Sequence, residues 1–216
     1  LPVFLCCILL LIMVFEVEKR RRTEDQLRTS VEKLTELHAL LDNAAKYDLL
    51  TSTVNRRGLE EIFEKNTVQH SKSGIPVEII IADIDFFKDI NDTYGHAAGD
   101  KVLSELARKM KESKLSENEI VCRWGGEEFV IVLVNKTYEE AKQFSENLRK
   151  EIESTSILWD SIPIRATMTF GVAEYNEGED LGKTISRADT ALYAGKRRGR
   201  NQVVGYMDVR QTDVFI

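Results

Sequence analysis

The sequence contains few cysteines and has no excess of positive charge. Only three of its 216 residues are cysteine: Cys6 and Cys7 fall in an apolar segment, and Cys122 falls in a predicted strand. No metal-ligand spacing such as C-x2-C with a second half is present, so we expect free thiols rather than a cysteine metal site. Acidic residues outnumber Lys and Arg by 36 to 30, giving a net charge of −6. That balance argues against general nucleic-acid binding.

Long apolar runs are also missing, with one partial exception at the N terminus. Residues 1–15, LPVFLCCILLLIMVF, carry no charge, but a helix that crosses a bilayer needs about 20 apolar residues. We expect this segment to be the end of a transmembrane helix; a buried core helix is the alternative. No small-residue cleavage site follows it, which disfavours a signal peptide. Basic residues 19–22, KRRR, then predict a cytoplasmic location for the rest of the chain, at the inner membrane.

Residues 16–46 are predicted to be a basic juxtamembrane segment followed by a linker helix. From residue 23, apolar positions recur at intervals of four and three, as in a coiled coil. These positions are Leu27, Val31, Leu34, His38, Leu41 and Ala45. We interpret them as the contact face of a parallel homodimer; an amphipathic helix packed on its own domain is the alternative.

From residue 47 to residue 207 the hydrophobic pattern alternates between strands and helices, and residues 208–216 are treated as a tail. Strands are predicted at Val77–Asp83, Ile120–Arg123, Phe129–Val134, Ile164–Ala173 and Gln202–Gly205. Helices are predicted at Arg57–His70, Gly99–Glu112, Tyr138–Glu153 and Gly182–Lys196. Two β-α-β units with an antiparallel hairpin indicate an α+β sandwich, in which helices flank a mostly antiparallel central sheet.

The segment from 79 to 100, IIIADIDFFKDINDTYGHAAGD, places acids at the end of an apolar strand. Strand alternation puts Asp83 and Asp85 on one face, where burial is costly unless a partner neutralises them. Carboxylates and carbonyl oxygens suit magnesium, which would be such a partner. The following NDTYGHAAGD is predicted to be a polar loop before a helix, and its Asn91 and Asp100 can read the edge of a base.

A second segment, RWGGEEF at 123–129, is predicted to form a hairpin turn. Taken alone, it is either an acidic surface turn or a place where the backbone of Gly125 and Gly126 approaches a ligand, because glycine has no side chain.

Five motifs in order resemble the GGDEF family, in its GGEEF variant, over residues 46 to 207. They are DLLTSTVNRR (48–57), DIDFFKDINDTYGHAAGD (83–100), RWGGEEF (123–129), TMTFGVA (167–173) and ADTALYAGKRRGRN (188–201). Members of the family are diguanylate cyclases with a polymerase-palm-like, nucleotidyl-cyclase-like fold. The resemblance implies that two GTP molecules are condensed into cyclic di-GMP by a homodimer, with two Mg²⁺ ions (Mn²⁺ is possible) in each active site.

The resemblance also implies a role for each matching residue. Metal ligands would be Asp83, Glu127 and the carbonyl of Ile84. Catalytic groups would be Glu127, as general base, with Lys88 and Glu128. Asn91 and Asp100 would read the guanine, and His96 would also lie in the nucleotide pocket. Phe87 and Lys88 would meet the phosphates, Lys196 and Arg200 would bind the terminal phosphates, and the protein backbone at Gly125 and Gly126 would approach the nucleotide.

The chain departs from the family pattern at the inhibitory R-x-x-D site, nine residues before the first glycine of the signature. Ser116 and Glu119 stand at the Arg and Asp positions, and serine cannot replace a guanidinium that pairs bidentately. We therefore expect weak or no product inhibition. Two other functions stay open: a catalytically inactive module that binds GTP or cyclic di-GMP, and a structural dimerisation module.

Overall fold

The computed structural model describes residues 2–70, 74–113, 116 and 119–212. Within it the chain divides into two compact units, residues 1–45 and residues 46–216.

The first unit is a single helix. Helix α1 runs Pro2–Lys46, so the helix predicted from residue 23 is confirmed and continues without a break toward the N terminus. Leu27, Val31, Leu34 and Leu41 are each more than half exposed, whereas the side chain of His38 lies outside the described residues. Nowhere in the described part of the chain does a helix combine the length and apolar character that crossing a bilayer requires.

The second unit is built on one six-stranded sheet with the order β1-β3-β4-β2-β7-β8. Its strands are β1 (Val54–Asn55), β2 (Val77–Ile84), β3 (Ile120–Gly125), β4 (Glu128–Val134), β7 (Met168–Glu174) and β8 (Val203–Gly205). β5 (Ile157–Trp159) and β6 (Ile162–Ile164) form a separate antiparallel hairpin. The pairs β1/β3 and β7/β8 are parallel and the other pairs are antiparallel, so the sheet is mixed.

Helices cover both faces of this sheet. They are α2 (Arg56–His70), α3 (Phe87–Tyr94), α4 (His96–Glu112), α5 (Tyr138–Ser154), α6 (Leu181–Arg197) and α7 (Tyr206–Thr212). Alternate residues of β2 enter different cores: Ile80 packs with α4 and α5, whereas Ile81 packs with α2 and α6. Because both faces are apolar, β2 is buried along its whole length. The predicted α+β sandwich is confirmed.

Helix ends are encoded locally. At the start of α5, Thr137 Oγ1 accepts a hydrogen bond from the Glu140 N–H at 3.3 Å, and the Glu140 carboxylate accepts one from the Thr137 N–H at 2.8 Å. This reciprocal cap satisfies two N–H groups that the helix itself leaves unpaired. This capping sequence therefore determines the residue at which α5 begins after β4.

Two predictions about secondary structure are wrong, and a third segment contains a helix that was not predicted. Residues 91–100 are not a polar loop, because α3 continues to Tyr94 and α4 already begins at His96. Gly95, with φ +87°, separates the two helices, and Ile90 anchors α3 in the core. The strand predicted over Ile164–Ala173 is divided between β6 and β7. The segment from residue 208, treated as a tail, contains part of α7.

Candidate active site

Strand β2 ends in a buried acid. Asp83 is 6% exposed, and an ionised carboxylate at such a position is costly unless a partner neutralises it. Lys196, in the last turn of α6, places its Nζ 2.8 Å from Asp83 Oδ2. Burial nevertheless raises the pKa of Asp83, and the hydrogen bond and charge of Lys196 offset only part of that effect. The position therefore favours additional positive charge.

The hairpin that joins β3 to β4 lies beside Asp83. Glu128 is the register partner of Asp83, and the Ile84 N–H donates to the Glu127 carbonyl at 3.4 Å. Gly126 has φ +51°, which favours glycine. Apart from Gly125 and its two chain neighbours, no described atom lies within 4 Å of the place that a Cβ on Gly125 would take. The predicted hairpin is confirmed, and the backbone of its turn is open to a ligand.

Acidic side chains from β2 and the hairpin influence one another. The charges of Glu127 and Asp85 add to the raised pKa of Asp83. Burial raises the pKa of Glu128, and Asp83 raises it further. Carboxylates that repel in this way are stabilised by a cation.

The predicted metal-ligand set, Asp83, Glu127 and the carbonyl of Ile84, fits a divalent ion. Its oxygens are the hard ligands that magnesium prefers, and the Lys196 ammonium shows that a cation is held against Asp83. Among the described residues, no three Asp, Glu, His or Cys side chains are grouped around a ready-made metal position. The predicted set needs fewer side chains, namely Asp83 and Glu127 together with the carbonyl of Ile84.

Helices α3 and α4 position the predicted guanine-binding residues. His96 and Asp100 are exposed one turn apart on α4, which places them on the same side of that helix. Asn91 and Phe87 of α3 pack against Gly99: a Cβ on Gly99 would collide with Asn91 Oδ1 and lie 3.2 Å from Phe87 Cζ. Because glycine has no side chain, residue 99 lets the Asn91 amide lie directly against α4.

The predicted phosphate-binding cations differ in their surroundings. Lys196 pairs with Asp83. Lys88 is exposed in the first turn of α3, and no described carboxylate forms an ion pair with it. The Arg200 guanidinium lies over the Phe86 ring, 4.6 Å from its centroid, and both residues have positive φ angles, +66° and +56°. The sequence motifs assign no role to Phe86.

The two described positions of the inhibitory motif, Ser116 and Glu119, are hydrogen-bonded to each other. The Ser116 N–H donates to Glu119 Oε2 at 2.8 Å, and the Glu119 N–H donates to the Ser116 carbonyl at 3.1 Å. The Glu119 carboxylate thus accepts a backbone N–H, and the sequence supplies no guanidinium at these positions.

Arg123, to which the sequence motifs assign no role, supports the hairpin. Arg123 donates from Nε to the Gly126 carbonyl at 2.9 Å and from Nη1 to Asp48 Oδ1 at 3.1 Å. Although burial acts to raise the pKa of Asp48, hydrogen bonds from Thr51 and Arg123 lower it. Arg123 thus ties the glycine turn to the segment that precedes β1. Its place immediately before WGGEE is the only signal that the sequence offers.

The fold and this geometry define a palm-type α+β domain that presents acids, an open glycine turn and basic residues at one edge of its sheet. Residues 45–202 match the family described as "Diguanylate cyclase, GGDEF domain". The chain belongs to the GGDEF-domain family.

Named relatives cover most of this chain. Diguanylate cyclase DgcM of Escherichia coli K12 is 35% identical over 196 residues, which are 91% of this chain and 43% of DgcM. Diguanylate cyclase A of Treponema denticola is 37% identical over 198 residues, 87% of this chain and 53% of the relative. The chain therefore spans about half the length, or less, of these curated relatives.

A solved structure shows the same architecture. The coiled coil and GGDEF domain of DgcB from Caulobacter crescentus, in complex with c-di-GMP, matches with a TM-score of 0.78 at 29% identity. The match covers 86% of this chain and 98% of that one.

Proposed function

We propose that the chain is a diguanylate cyclase, which joins two GTP molecules into cyclic di-GMP and releases two pyrophosphates. The observation that carries this proposal is the ion pair between buried Asp83 and Lys196 beside the open turn of Gly125 and Gly126. A site of this kind accepts a phosphate chain together with cations, because acids, a bare backbone and basic groups meet at one place. The named relatives support the same activity.

Each of the two steps is a phosphoryl transfer. The 3′-oxygen of one GTP forms a bond to the α-phosphorus of the other, the bond from that phosphorus to the bridging oxygen breaks, and pyrophosphate leaves. We assign the proton of the 3′-hydroxyl to Glu127, which lies in the turn beside Asp83. Two equivalent steps close the ring, so two chains, each holding one GTP, must face each other.

The chain's own residues supply positioning and charge. Lys88, Lys196 and Arg200 neutralise phosphate oxygens, which is the main requirement of this reaction class. Magnesium ions held by Asp83, Glu127 and the Ile84 carbonyl would supply further positive charge and a lower pKa for the attacking hydroxyl.

Base selection is assigned to α3 and α4. Asn91 and Asp100 present an amide and a carboxylate that match the acceptor and donor groups of guanine, with His96 beside them. Glu128, whose raised pKa reflects burial next to Asp83, orients its neighbours.

Product analysis tests the proposal. The chain is incubated with GTP and magnesium, and the nucleotides are separated. We expect cyclic di-GMP from the wild type and a loss of at least about 100-fold in Glu127→Gln, because a general base contributes on that order. Glu177→Gln, an equivalent change at an exposed loop position, is the matched control. GTP binding without turnover would instead favour the inactive receptor.

We further propose that α1 regulates the enzyme by dimerisation. Its row of more than half-exposed apolar side chains, including Leu27, Leu34 and Leu41, suits a parallel coiled coil. Leu34→Glu should lower both the dimer fraction and the rate per chain at a fixed protein concentration. Thr29→Glu, on the outer face of the heptad, should change neither. Equal dimer fractions in the two variants, measured by analytical ultracentrifugation, would contradict the proposed role of α1.

Attachment to the cytoplasmic face of the inner membrane stays a proposal from sequence. The apolar segment 1–15 and basic residues 19–22 motivate it. Cell fractionation tests it: recovery of the full chain in the supernatant after ultracentrifugation would contradict it.

A further inference from the structure

The loop that carries Arg200 has an uncommon backbone. Three consecutive residues have positive φ: Gly199 at +115°, Arg200 at +66° and Asn201 at +46°. A left-handed conformation is unfavourable for residues that carry a Cβ, so the surroundings must hold Arg200 and Asn201 in place.

Asn201 is held from two sides. Its N–H lies 3.0 Å from both Asp85 Oδ2 and Thr169 Oγ1. Its side-chain amide bridges two residues of α5: Oδ1 accepts from Arg149 Nη1 at 2.8 Å, and Nδ2 donates to Glu153 Oε1 at 2.8 Å. The loop is thus anchored to the sheet through its backbone and to α5 through its side chain.

Asp85 is one of the two residues that attach the loop to the sheet. It is 4% exposed, and besides the Asn201 N–H it accepts hydrogen bonds from Thr167 Oγ1 at 2.8 Å and Thr169 Oγ1 at 2.7 Å. Three neutral donors satisfy the carboxylate, and no described Lys or Arg forms an ion pair with it. Asp85 therefore has a different task from Asp83, which pairs with a cation.

The fixed loop places Arg200 against Phe86. The guanidinium lies 4.6 Å from the ring centroid, and Phe86 is itself 59% exposed with φ +56°. No described carboxylate forms an ion pair with Arg200. A guanidinium that stacks on a ring keeps its in-plane N–H donors free, which is the geometry that binds phosphate bidentately.

We propose that Asp85 and Thr169 are positioning residues for nucleotide binding: by hydrogen-bonding the Asn201 N–H, they hold Arg200 on Phe86 with its donors directed at the terminal phosphates of GTP. The inference rests on the proposed use of GTP. It assigns Asp85 no contact with nucleotide or metal, since the residue acts through the loop.

Equilibrium binding to the full chain tests this inference. Two probes are compared in the presence of magnesium: GMP, and the GTP analogue with a methylene group between its α- and β-phosphates, which cannot release pyrophosphate. For Asp85→Asn we expect the dissociation constant of the analogue to rise roughly tenfold or more, the scale of a charged hydrogen bond. Binding of GMP, which lacks terminal phosphates, should stay within about twofold. Asp160→Asn, the same change at an exposed turn, is the matched control.

Conservative variants separate positioning from folding. Thr169→Val removes the hydroxyl and should weaken the analogue selectively, whereas Thr169→Ser keeps it and should restore binding. In an Arg200→Ala background, Asp85→Asn should have no further effect on the analogue. Equal weakening of both probes, no weakening, or full additivity with Arg200→Ala would overturn the inference.

The same experiment is independent of turnover. Selective loss of analogue binding in a chain that makes no cyclic di-GMP would refute the proposed function and support the inference. Normal synthesis of cyclic di-GMP with unchanged analogue binding in Asp85→Asn would support the proposed function and refute the inference.

Discussion

Glu78 lies at the end of β2 opposite to Asp83, 1% exposed. Its Oε2 is buried and meets no hydrogen-bond donor among the described residues. Its register partner on β7 is another acid, Glu174. Burial, and to a smaller extent the charge of Glu174, raises the pKa of Glu78 from 4.5 to about 8. We therefore expect Glu78 to be protonated in the folded protein at neutral pH.

The raised pKa of Glu78 makes stability depend on pH in a defined direction. Below about pH 4.5 the group is protonated in both states, so its titration does not change the free energy of unfolding. As the pH rises toward about 8, the unfolded chain releases this proton and the folded chain keeps it, so the free energy of unfolding falls. A shift of about 3.5 units at 1.36 kcal/mol per unit corresponds to roughly 5 kcal/mol, a large share of the 5–15 kcal/mol typical of a domain.

Glu78→Gln keeps the shape of the side chain and removes its titration. We expect wild type and variant to be similarly stable near pH 4.5, and the variant to be more stable by up to roughly 5 kcal/mol at pH 8 and above. Urea unfolding, followed by fluorescence of the two tryptophans, measures both proteins at each pH. Taking the difference cancels the contribution of titrating groups that do not interact with Glu78.

The refuting result is a stability difference that stays constant between pH 5 and pH 8. Glu177→Gln, an acid at an exposed loop position, serves as the control and should follow the wild type throughout. Because Glu78 lies at the other end of β2 from Asp83, the variant should keep its rate of cyclic di-GMP formation wherever both proteins are folded.

Three further outcomes are expected. Gly99→Ala suits a helix but displaces Asn91, so the KM for GTP should rise at least about tenfold with little loss of thermal stability; an unchanged KM would contradict the packing. Added cyclic di-GMP should leave initial rates unchanged, because Ser116 and Glu119 supply no guanidinium; submicromolar binding that a Glu119 variant abolishes would contradict this. Burial raises the pKa of the Cys122 thiol to about 12, so alkylating reagents should modify it only after unfolding, and rapid modification of the native chain would contradict this burial.

Hydrophobic periodicity in the sequence predicted the helices and strands that bury one complete face in the core. α4 places Val102, Leu106 and Met110 at intervals of four, and β4 is a continuous apolar strand, so both patterns are strong. The missed elements are short: β1 has two residues, and α3 is a polar helix with one buried side chain, Ile90. For such elements, tertiary contacts rather than local pattern decide the conformation.

The motifs identify candidate site residues, but they do not show how these residues are paired. Lys196 bonds to an acid 113 positions earlier in the chain, and Asn201 donates its N–H to Asp85 across 116 positions. Contacts at such separations depend on the order of strands β2, β7 and β8 in the sheet, which no local pattern contains.

Asp83 and Asp85 show why counting carboxylates cannot locate a metal. Alternation places both acids at the same strand end, and the sequence treats them alike. In the structure, hydroxyl and amide donors from Thr167, Thr169 and Asn201 satisfy Asp85. Asp83 instead has a lysine, and its pKa remains raised because burial outweighs that one cation. A divalent ion therefore gains more at Asp83, and the neutral donors around Asp85, which the sequence does not reveal, decide between the two.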